Sequence, residues 1–112
     1  MKRGELWLAV WPNDPSLKSR PILIVGNNHR NLAKNLGDIV VVKVTSLERA
    51  DGSKKPTLTA EDVIMKLKKE SIIRCAQIYA LEKACLIRQL SQLSVNDMAK
   101  VDICLKNVLD LH

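Results

Sequence analysis

The side chains best suited to phosphate chemistry stand at the ends of two apolar runs. Arg20 comes directly before the apolar run 21–25, and Thr45 and Ser46 come directly after the apolar run 39–44. Polar groups at strand ends, beside loops, often form the sites of small β domains. A guanidinium and a hydroxyl can bind a phosphate and stabilise the charge that develops during phosphoryl transfer. From residue type alone, a solvated or structural role remains the commoner explanation of Arg20.

Histidines and cysteines argue against the other common site chemistries. The only histidines are His29 and His112, so an acid–base mechanism that uses two histidines is disfavoured. Cys75, Cys85 and Cys104 form no Cys-x-x-Cys pair, and small buried thiols are the simpler interpretation. The chain also has no Gly-x-Ser-x-Gly, Gly-x-Gly-x-x-Gly, P-loop or His-Glu-x-x-His motif. We therefore expect no metal and no cofactor.

The charge distribution favours an anionic partner. The net charge is +6, and residues 1–93 hold 16 Lys and Arg against 9 Asp and Glu. Such an excess attracts polyanions, although a solvated basic surface would look the same. No apolar run approaches the roughly 20 residues that cross a bilayer, and the basic start lacks the apolar core of a signal peptide. We expect one domain over residues 1–112, no membrane association, and a cytoplasmic location.

Apolar patterning predicts a chain made mainly of short strands. Strands are expected at 4–11, 21–25, 39–44, 71–81 and 88–93, with a weaker one at 57–60. The segment 71–81 can also be two strands that meet at a bend near Gln77. Single helical turns are expected at 31–35 and after Glu82, and a polar loop over 47–56 turns at Asp51-Gly52.

A helix closes the chain. Ser94 and Asp97 form a Ser-x-x-Asp capping signature, and apolar residues recur after it at three- and four-residue spacing. The predicted fold is mainly β (α+β): an SH3-like barrel, or a related roll, of five or six short antiparallel strands with a C-terminal α-helix.

Several segments match known motifs in the right order along nearly the whole chain. They are Arg3-Gly4-Glu5-Leu6-Trp7, Arg20-Pro21-Ile22-Leu23-Ile24-Val25 with Asn27 nearby, Val44-Thr45-Ser46, Pro56-Thr57 with 67–75, and Gln77-Ile78 with Glu82-Lys83 and Leu86. Each match is weak alone, but their collinear order resembles the MazF/PemK-type endoribonuclease toxins of type II toxin–antitoxin systems.

The resemblance implies a fold, an activity and two partners. It implies an SH3-like barrel homodimer that cleaves single-stranded RNA without a metal, leaving a 2′,3′-cyclic phosphate and a 5′-hydroxyl. It also implies a small antitoxin with an acidic, hydrophobic disordered segment. By position, Arg20 and Thr45 would be catalytic. The resemblance also implies Ser46, Arg74 and Gln77 as RNA-binding residues. The chemistry of the chain itself adds Lys18 and Tyr79 as candidates.

Two departures from the family pattern bear on activity. Ala76 stands where members usually have Asp or Glu, and Tyr79 stands where they usually have Arg. If the missing acid is the base, activity would be reduced or would use another group, for which His29, Lys18 and Tyr79 are candidates. Tyr79 could also stack on an unpaired base, although a buried or edge tyrosine explains it equally well.

Two alternatives therefore stay open beside the nuclease. One is a catalytically weakened homologue that binds RNA or an antitoxin, which the two departures favour. The other is a protein-targeting, gyrase-poisoning toxin of the CcdB kind, which shares the fold but has no need for the phosphate-binding pair. Whichever function applies, we expect Trp7 and Trp11, which lie on one predicted strand, in the core and at a dimer interface.

Overall fold

The apolar runs form the strands of a mainly β fold with a terminal helix. The computed structural model describes residues 1–112. Its elements are β1 (Glu5–Val10), β2 (Ser19–Ile24), α1 (Asn28–Asn31), β3 (Asp38–Ser46), β4 (Asp62–Lys66), β5 (Glu70–Glu82), β6 (Leu86–Gln92) and α2 (Val95–Leu109), with a 3₁₀ turn, Lys83–Cys85, between β5 and β6. The predicted fold class is confirmed.

All six strands belong to one antiparallel sheet in the order β4-β5-β3-β2-β1-β6. The two edge strands, β4 and β6, do not pair with each other. The sheet is therefore not closed into a complete barrel, although its strands and terminal helix match the predicted architecture.

Alternation along β3 divides the interior into two cores. Val42 and Val44 face α2, whereas Ile39 and Val41 face the opposite side of the sheet. The helix-side core contains Leu6, Leu23, Val42, Val44, Val63, Ile73, Cys75, Val101 and Cys104. The cleft-side core contains Ala9, Ile22, Ile24, Ile39, Val41 and Leu81. Apolar burial on both faces explains why β2 and β3 read as nearly continuous apolar runs.

Two local predictions were wrong, and hydrogen bonds explain both. Residues 57–60 form no strand, because the Leu58 amide donates to the Asp62 carboxylate (2.9 Å) and fixes a turn; the strand follows as β4. The helical turn expected at 31–35 begins earlier, at Asn28, because the Asn27 side chain accepts a hydrogen bond from the Arg30 amide (2.8 Å) and caps it.

The remaining elements follow the sequence closely. β5 is one strand, but its pairing with β3 jumps from Ile78 to Arg74, so residues 75–77 form the irregularity expected near Gln77. The loop 47–56 turns at Gly52, whose φ is +86°. Ser94 caps α2 by accepting from the Asp97 amide (3.1 Å). Neither helix combines the length and hydropathy required to span a membrane.

Candidate nucleic-acid cleft

The start of β2 and the end of β3 meet at one end of the sheet. Ile22 pairs with Lys43, and continuing that antiparallel register by two residues sets Arg20 across from Thr45. Arg20, Ile22, Lys43 and Thr45 share the face of the cleft-side core by alternation. At this end the core gives way to an open cleft of about 830 Å³, lined by residues that include Arg20, Lys43 and Thr45. Two distant sequence motifs therefore meet at one site.

Arg20 is exposed and only loosely paired. Its side chain is 52% exposed, and its Nε lies 3.9 Å from Asp14 Oδ2, too far for a hydrogen bond. Asp14 is instead held by the hydroxyl of Ser16 (2.6 Å) and by its amide (2.9 Å). The Ser16 hydrogen bonds, with smaller effects of the Arg20 and Lys18 charges, lower the pKa of Asp14. Asp14 therefore stays anionic and close to Arg20 while the donors of the guanidinium remain available.

Two polar atoms in the cleft residues are shielded from solvent and have no hydrogen-bond partner in the protein. They are Thr45 Oγ1 and Trp11 Nε1. Buried donors are usually satisfied, and leaving one without a partner costs about 1–3 kcal/mol. A ligand acceptor that reaches either atom would recover part of that free energy.

Aromatic side chains form one wall of the cleft and hold a cation. The rings of Trp11 and Tyr79 pack edge to face, with centroids 4.9 Å apart. Lys43 Nζ lies 5.0 Å from the Trp11 ring centroid and 5.2 Å from that of Tyr79. These distances are within the range of cation–π interactions. Tyr79 is 39% exposed, so part of its ring also faces solvent.

The cleft brings together some of the predicted site residues and leaves others outside. Arg20, Thr45 and Tyr79 line it. Lys18 lies outside the lining, but its charge reaches Asp14. His29 lies on α1, and Gln77 is exposed in the irregular part of β5. Because Ser46 lies one position beyond Thr45, it falls on the other face, and its hydroxyl donates to the Glu48 carbonyl (3.4 Å).

Arg74 is opposite Lys43 in register but makes its contacts elsewhere. Its Nη1 donates to Asp62 Oδ2 (3.0 Å) and to the carbonyl of Pro56 (3.0 Å). This joins β5 to β4 and to the end of the 47–56 loop. Its predicted RNA contact stays a prediction, and the fold already occupies its guanidinium.

Sequence reasoning missed Lys43, Trp11 and Asp14 as cleft residues. The sequence does indicate Lys43, because it is the one charged residue within the apolar run 39–44. It is also two residues from Thr45, so the two side chains share a face of the strand. Trp11 is partly buried against the cleft-side core, as expected, but it also lines the cleft. For Asp14 there was no signal, since Asn-Asp-Pro reads as ordinary turn chemistry.

The cleft contains no obvious metal-binding arrangement. No group of three or more His, Cys, Asp or Glu side chains lies close enough to hold a metal ion. Its lining contains two carboxylates and three cations, which are those of Asp14, Glu82, Arg20, Lys43 and Lys55. Positive charge in the cleft is supplied by the protein's own side chains.

Known proteins with similar sequences and structures share this architecture. The family described as the PemK-like, MazF-like toxin of type II toxin–antitoxin systems matches residues 2–109. Endoribonuclease MazF of Staphylococcus saprophyticus is 33% identical over 116 aligned positions, covering 100% of this chain and 93% of that protein.

Two solved structures have the same fold over more than nine-tenths of their lengths. An endoribonuclease from a mycobacterial species has a TM-score of 0.75 at 25% identity, covering 99% of this chain and 92% of its own. A mycobacterial endoribonuclease in complex with its cognate antitoxin has a TM-score of 0.77 at 24% identity, covering 100% and 97%. The chain belongs to the PemK-like, MazF-like toxin family of type II toxin–antitoxin systems.

Proposed function

We propose that this MazF-like toxin is an endoribonuclease that cleaves single-stranded RNA in the cleft between Arg20 and Thr45. The observation that carries the proposal is the meeting of these two side chains, from distant motifs, at one end of the sheet. The endoribonuclease relative at 33% identity supports the activity. The basic lining supports an anionic substrate.

The proposed chemistry is an internal transfer within the RNA. The 2′-hydroxyl oxygen attacks the adjacent phosphorus and loses its proton to water, and the bond from phosphorus to the 5′ oxygen breaks. The leaving oxygen takes up a proton, so the products are a 2′,3′-cyclic phosphate and a 5′-hydroxyl. Arg20 donates to the oxygens that gain charge in the transition state, and Thr45 donates its hydroxyl to the same phosphate. Because protein cations supply the positive charge, the mechanism needs no metal.

Preference for single strands follows from the aromatic wall. Bases in a duplex are stacked and paired, whereas an unpaired base can lie against a protein ring. The exposed part of Tyr79 offers such a surface next to the phosphate-binding side chains. Lys18 and Gln77 remain proposed contacts of the flanking strand. The RNA contacts of Ser46 and Arg74 stay predictions from the resemblance, because both side chains already form hydrogen bonds within the fold.

We propose an antitoxin and a second copy of the chain as protein partners. An antitoxin with an acidic, apolar segment would complement the basic surface and cover the cleft. A short neighbouring reading frame encoding such a segment would identify it, and its product should abolish cleavage when added in equimolar amounts.

The exposed edge of β6 supports a dimer. β6 pairs only with β1, and its Ile87 and Leu90 side chains are exposed. Unpaired edges and apolar surface are commonly covered by association. Sedimentation equilibrium should give twice the monomer mass at micromolar concentration. Monomer alone would contradict the dimer.

The decisive experiment is cleavage in the presence of a chelator. Purified protein in excess EDTA should cut a single-stranded RNA and leave the matching duplex largely intact. Mass spectrometry of the fragments should find cyclic phosphate and 5′-hydroxyl ends. Cleavage that requires added Mg²⁺ or Zn²⁺, or fragments with 5′-phosphate ends, would overturn this mechanism.

Ala76 favours one alternative, which is RNA binding without cleavage. Ala76 lies in the irregular part of β5, where the resemblance leads us to expect an acid. Saturable binding of the strand with no fragments after long incubation would favour this alternative over the nuclease.

A further inference from the structure

Lys43 is the unexpected charge on the cleft face of the sheet. It interrupts the apolar run of β3 between Val42 and Val44, both of which are buried in the helix-side core. By alternation its own side chain belongs to the opposite face, with Val41 and Thr45. The charged ammonium of a lysine in the middle of a central strand gains nothing from apolar packing, so its position requires another explanation.

The ammonium of Lys43 is held by rings and not by a carboxylate. It lies over Trp11 and Tyr79, and it takes part in none of the seven ion pairs of the protein. A cation–π contact positions an ammonium without neutralising its charge. The three N–H donors of a lysine can therefore still bind an acceptor.

The surroundings of Lys43 are those of a phosphate-binding position. Thr45 is two residues along the same strand and face, about 7 Å away between Cα atoms at the usual rise. The Thr45 hydroxyl has no partner in the protein, and Arg20 enters the same cleft from β2. Thr45 therefore has a cationic side chain on two sides. Lys43 precedes it on β3, and Arg20 lies opposite it on β2.

We infer that Lys43 is a phosphate-binding residue, and that Trp11 and Tyr79 position its ammonium. It donates to an oxygen of the phosphate that contacts Thr45, and Arg20 binds the same group from the neighbouring strand. The inference rests on the proposed function for the identity of the phosphate, a diester of single-stranded RNA. It assigns a contact to a residue that matches no motif of the family resemblance.

The test compares Lys43→Met, which keeps most of the stem but removes the charge, with Lys43→Arg, which keeps the charge. The matched control is Lys100→Met, because Lys100 is exposed on α2, beyond the helix-side core. Binding is measured with a fluorescein-labelled single-stranded 2′-deoxyoligonucleotide, which has no 2′-hydroxyl and cannot be cleaved by the proposed route. The dissociation constant is followed over a series of NaCl concentrations.

Lys43→Met should reduce the salt dependence of binding by the contribution of one phosphate. The slope of log K against log [NaCl] should become shallower by about 0.7, the value for one contact to a single strand. Cleavage of the matching RNA should slow by less than the roughly 100- to 1,000-fold expected for the loss of one transition-state donor, because Arg20 still binds the same phosphate. Lys43→Arg should restore the slope, and Lys100→Met should match the parent. A parental slope in folded Lys43→Met would overturn the inference.

The role of the rings is tested by coupling. Tyr79→Leu removes the ring face beside the ammonium, whereas Tyr79→Phe keeps it and should lose less binding than Tyr79→Leu. Tyr79→Leu should weaken binding more in the parent than in the Lys43→Met background, because only the parent has an ammonium to misplace. Equal losses in the two backgrounds would overturn the positioning role.

The two proposals can fail separately. If the parent binds the oligonucleotide but never cleaves RNA, the proposed function is wrong, and the salt slope of Lys43→Met still decides the phosphate contact. If the parent cleaves and Lys43→Met matches it in both rate and slope, the nuclease stands and only the assignment of Lys43 is wrong.

Discussion

The two faces of the sheet satisfy their polar groups to different degrees. On the face covered by α2, Arg3 donates to Asp102 (2.5 Å), and the Cys75 and Cys104 thiols approach backbone carbonyls. On the cleft face, Lys43 has no acidic partner, and Trp11 Nε1 and Thr45 Oγ1 have no hydrogen-bond partner at all. Two other buried atoms without partners, in Arg30 and Asn31, lie at α1.

Because of this difference, we expect the stability of the fold and its action on RNA to depend on different residues. A folded chain satisfies its buried polar groups unless another requirement opposes that, and such exceptions concentrate at functional sites. Substitutions on the helix-covered side and at paired charges should therefore change the free energy of unfolding. Substitutions at the free groups of the cleft should change RNA cleavage while leaving stability intact.

Replacing Arg20 gives the largest expected effect on activity. Arg20→Ala should slow RNA cleavage by about two to three orders of magnitude, because a fixed guanidinium binds the transition state more strongly than the ground state. Affinity for the strand should fall far less, since other cations remain. Single-turnover cleavage and fluorescence anisotropy measure the two quantities. A folded Arg20→Ala that cleaves like the parent would refute the site.

Replacing Arg74 should reverse that pattern. The Arg74 and Asp62 side chains are only 19% and 7% exposed, so Arg74→Met leaves a shielded carboxylate without its partner. The free energy of unfolding in urea should fall by about 1–3 kcal/mol, and the cleavage rate of the folded protein should stay within about tenfold of the parent. Asp62→Asn should lose a similar amount, and the double variant should lose less than the sum. A loss of cleavage without a loss of stability would move Arg74 into the site.

Thr45→Val tests whether one hydroxyl opposes stability and favours function. Valine keeps the shape of threonine but has no hydroxyl to bury. Since Thr45 Oγ1 has no partner in the fold, the variant should be as stable as the parent, or more stable by up to about 1 kcal/mol. Cleavage should slow by about tenfold, and Thr45→Ala should also lose activity, less than Arg20→Ala. A destabilised Thr45→Val would mean that the hydroxyl has a structural partner.

The sequence predicted the strands and the terminal helix well because periodicity records burial directly. The apolar parts of β2 and β3 are buried on both faces and read as apolar runs that only Lys43 interrupts, and α2 has both an N-cap and an apolar stripe. β4 was missed because it is short and has charged residues, Asp62 and Lys66, at its two ends. What defines it is its pairing with β5, which is tertiary information.

The candidate site was only partly predictable for a similar reason. Arg20 and Thr45 were found because they end apolar runs, but their proximity depends on the register between β2 and β3. The role of Lys43 depends on two rings, one from Trp11 directly after β1 and one from Tyr79 in β5. Arg74 pairs with Lys43 across β3 and β5, so the two side chains leave the same face of the sheet. The guanidinium of Arg74 nevertheless binds Asp62, which lies on a strand that the sequence did not predict.

The smallest expected effect concerns the thiols of the helix-covered core. Burial raises the pKa of Cys75 from 9.0 to about 12, and burial also raises the pKa of Cys104. Both should stay protonated and unreactive towards a disulfide reagent at pH 8, whereas Cys85, which is only half-buried and lies outside that core, should react first. Denaturant should make Cys75 and Cys104 reactive as well.

Because the pKa of Cys75 is higher in the folded than in the unfolded protein, its contribution to stability is fully present below pH 9. That contribution declines as the pH rises from about 9 towards 12, where the unfolded thiol ionises first. Urea unfolding across that range measures the decline. Three thiols reacting at equal rates in native protein would mean that the helix-side core opens as readily as the cleft, and the contrast between the two faces would be lost.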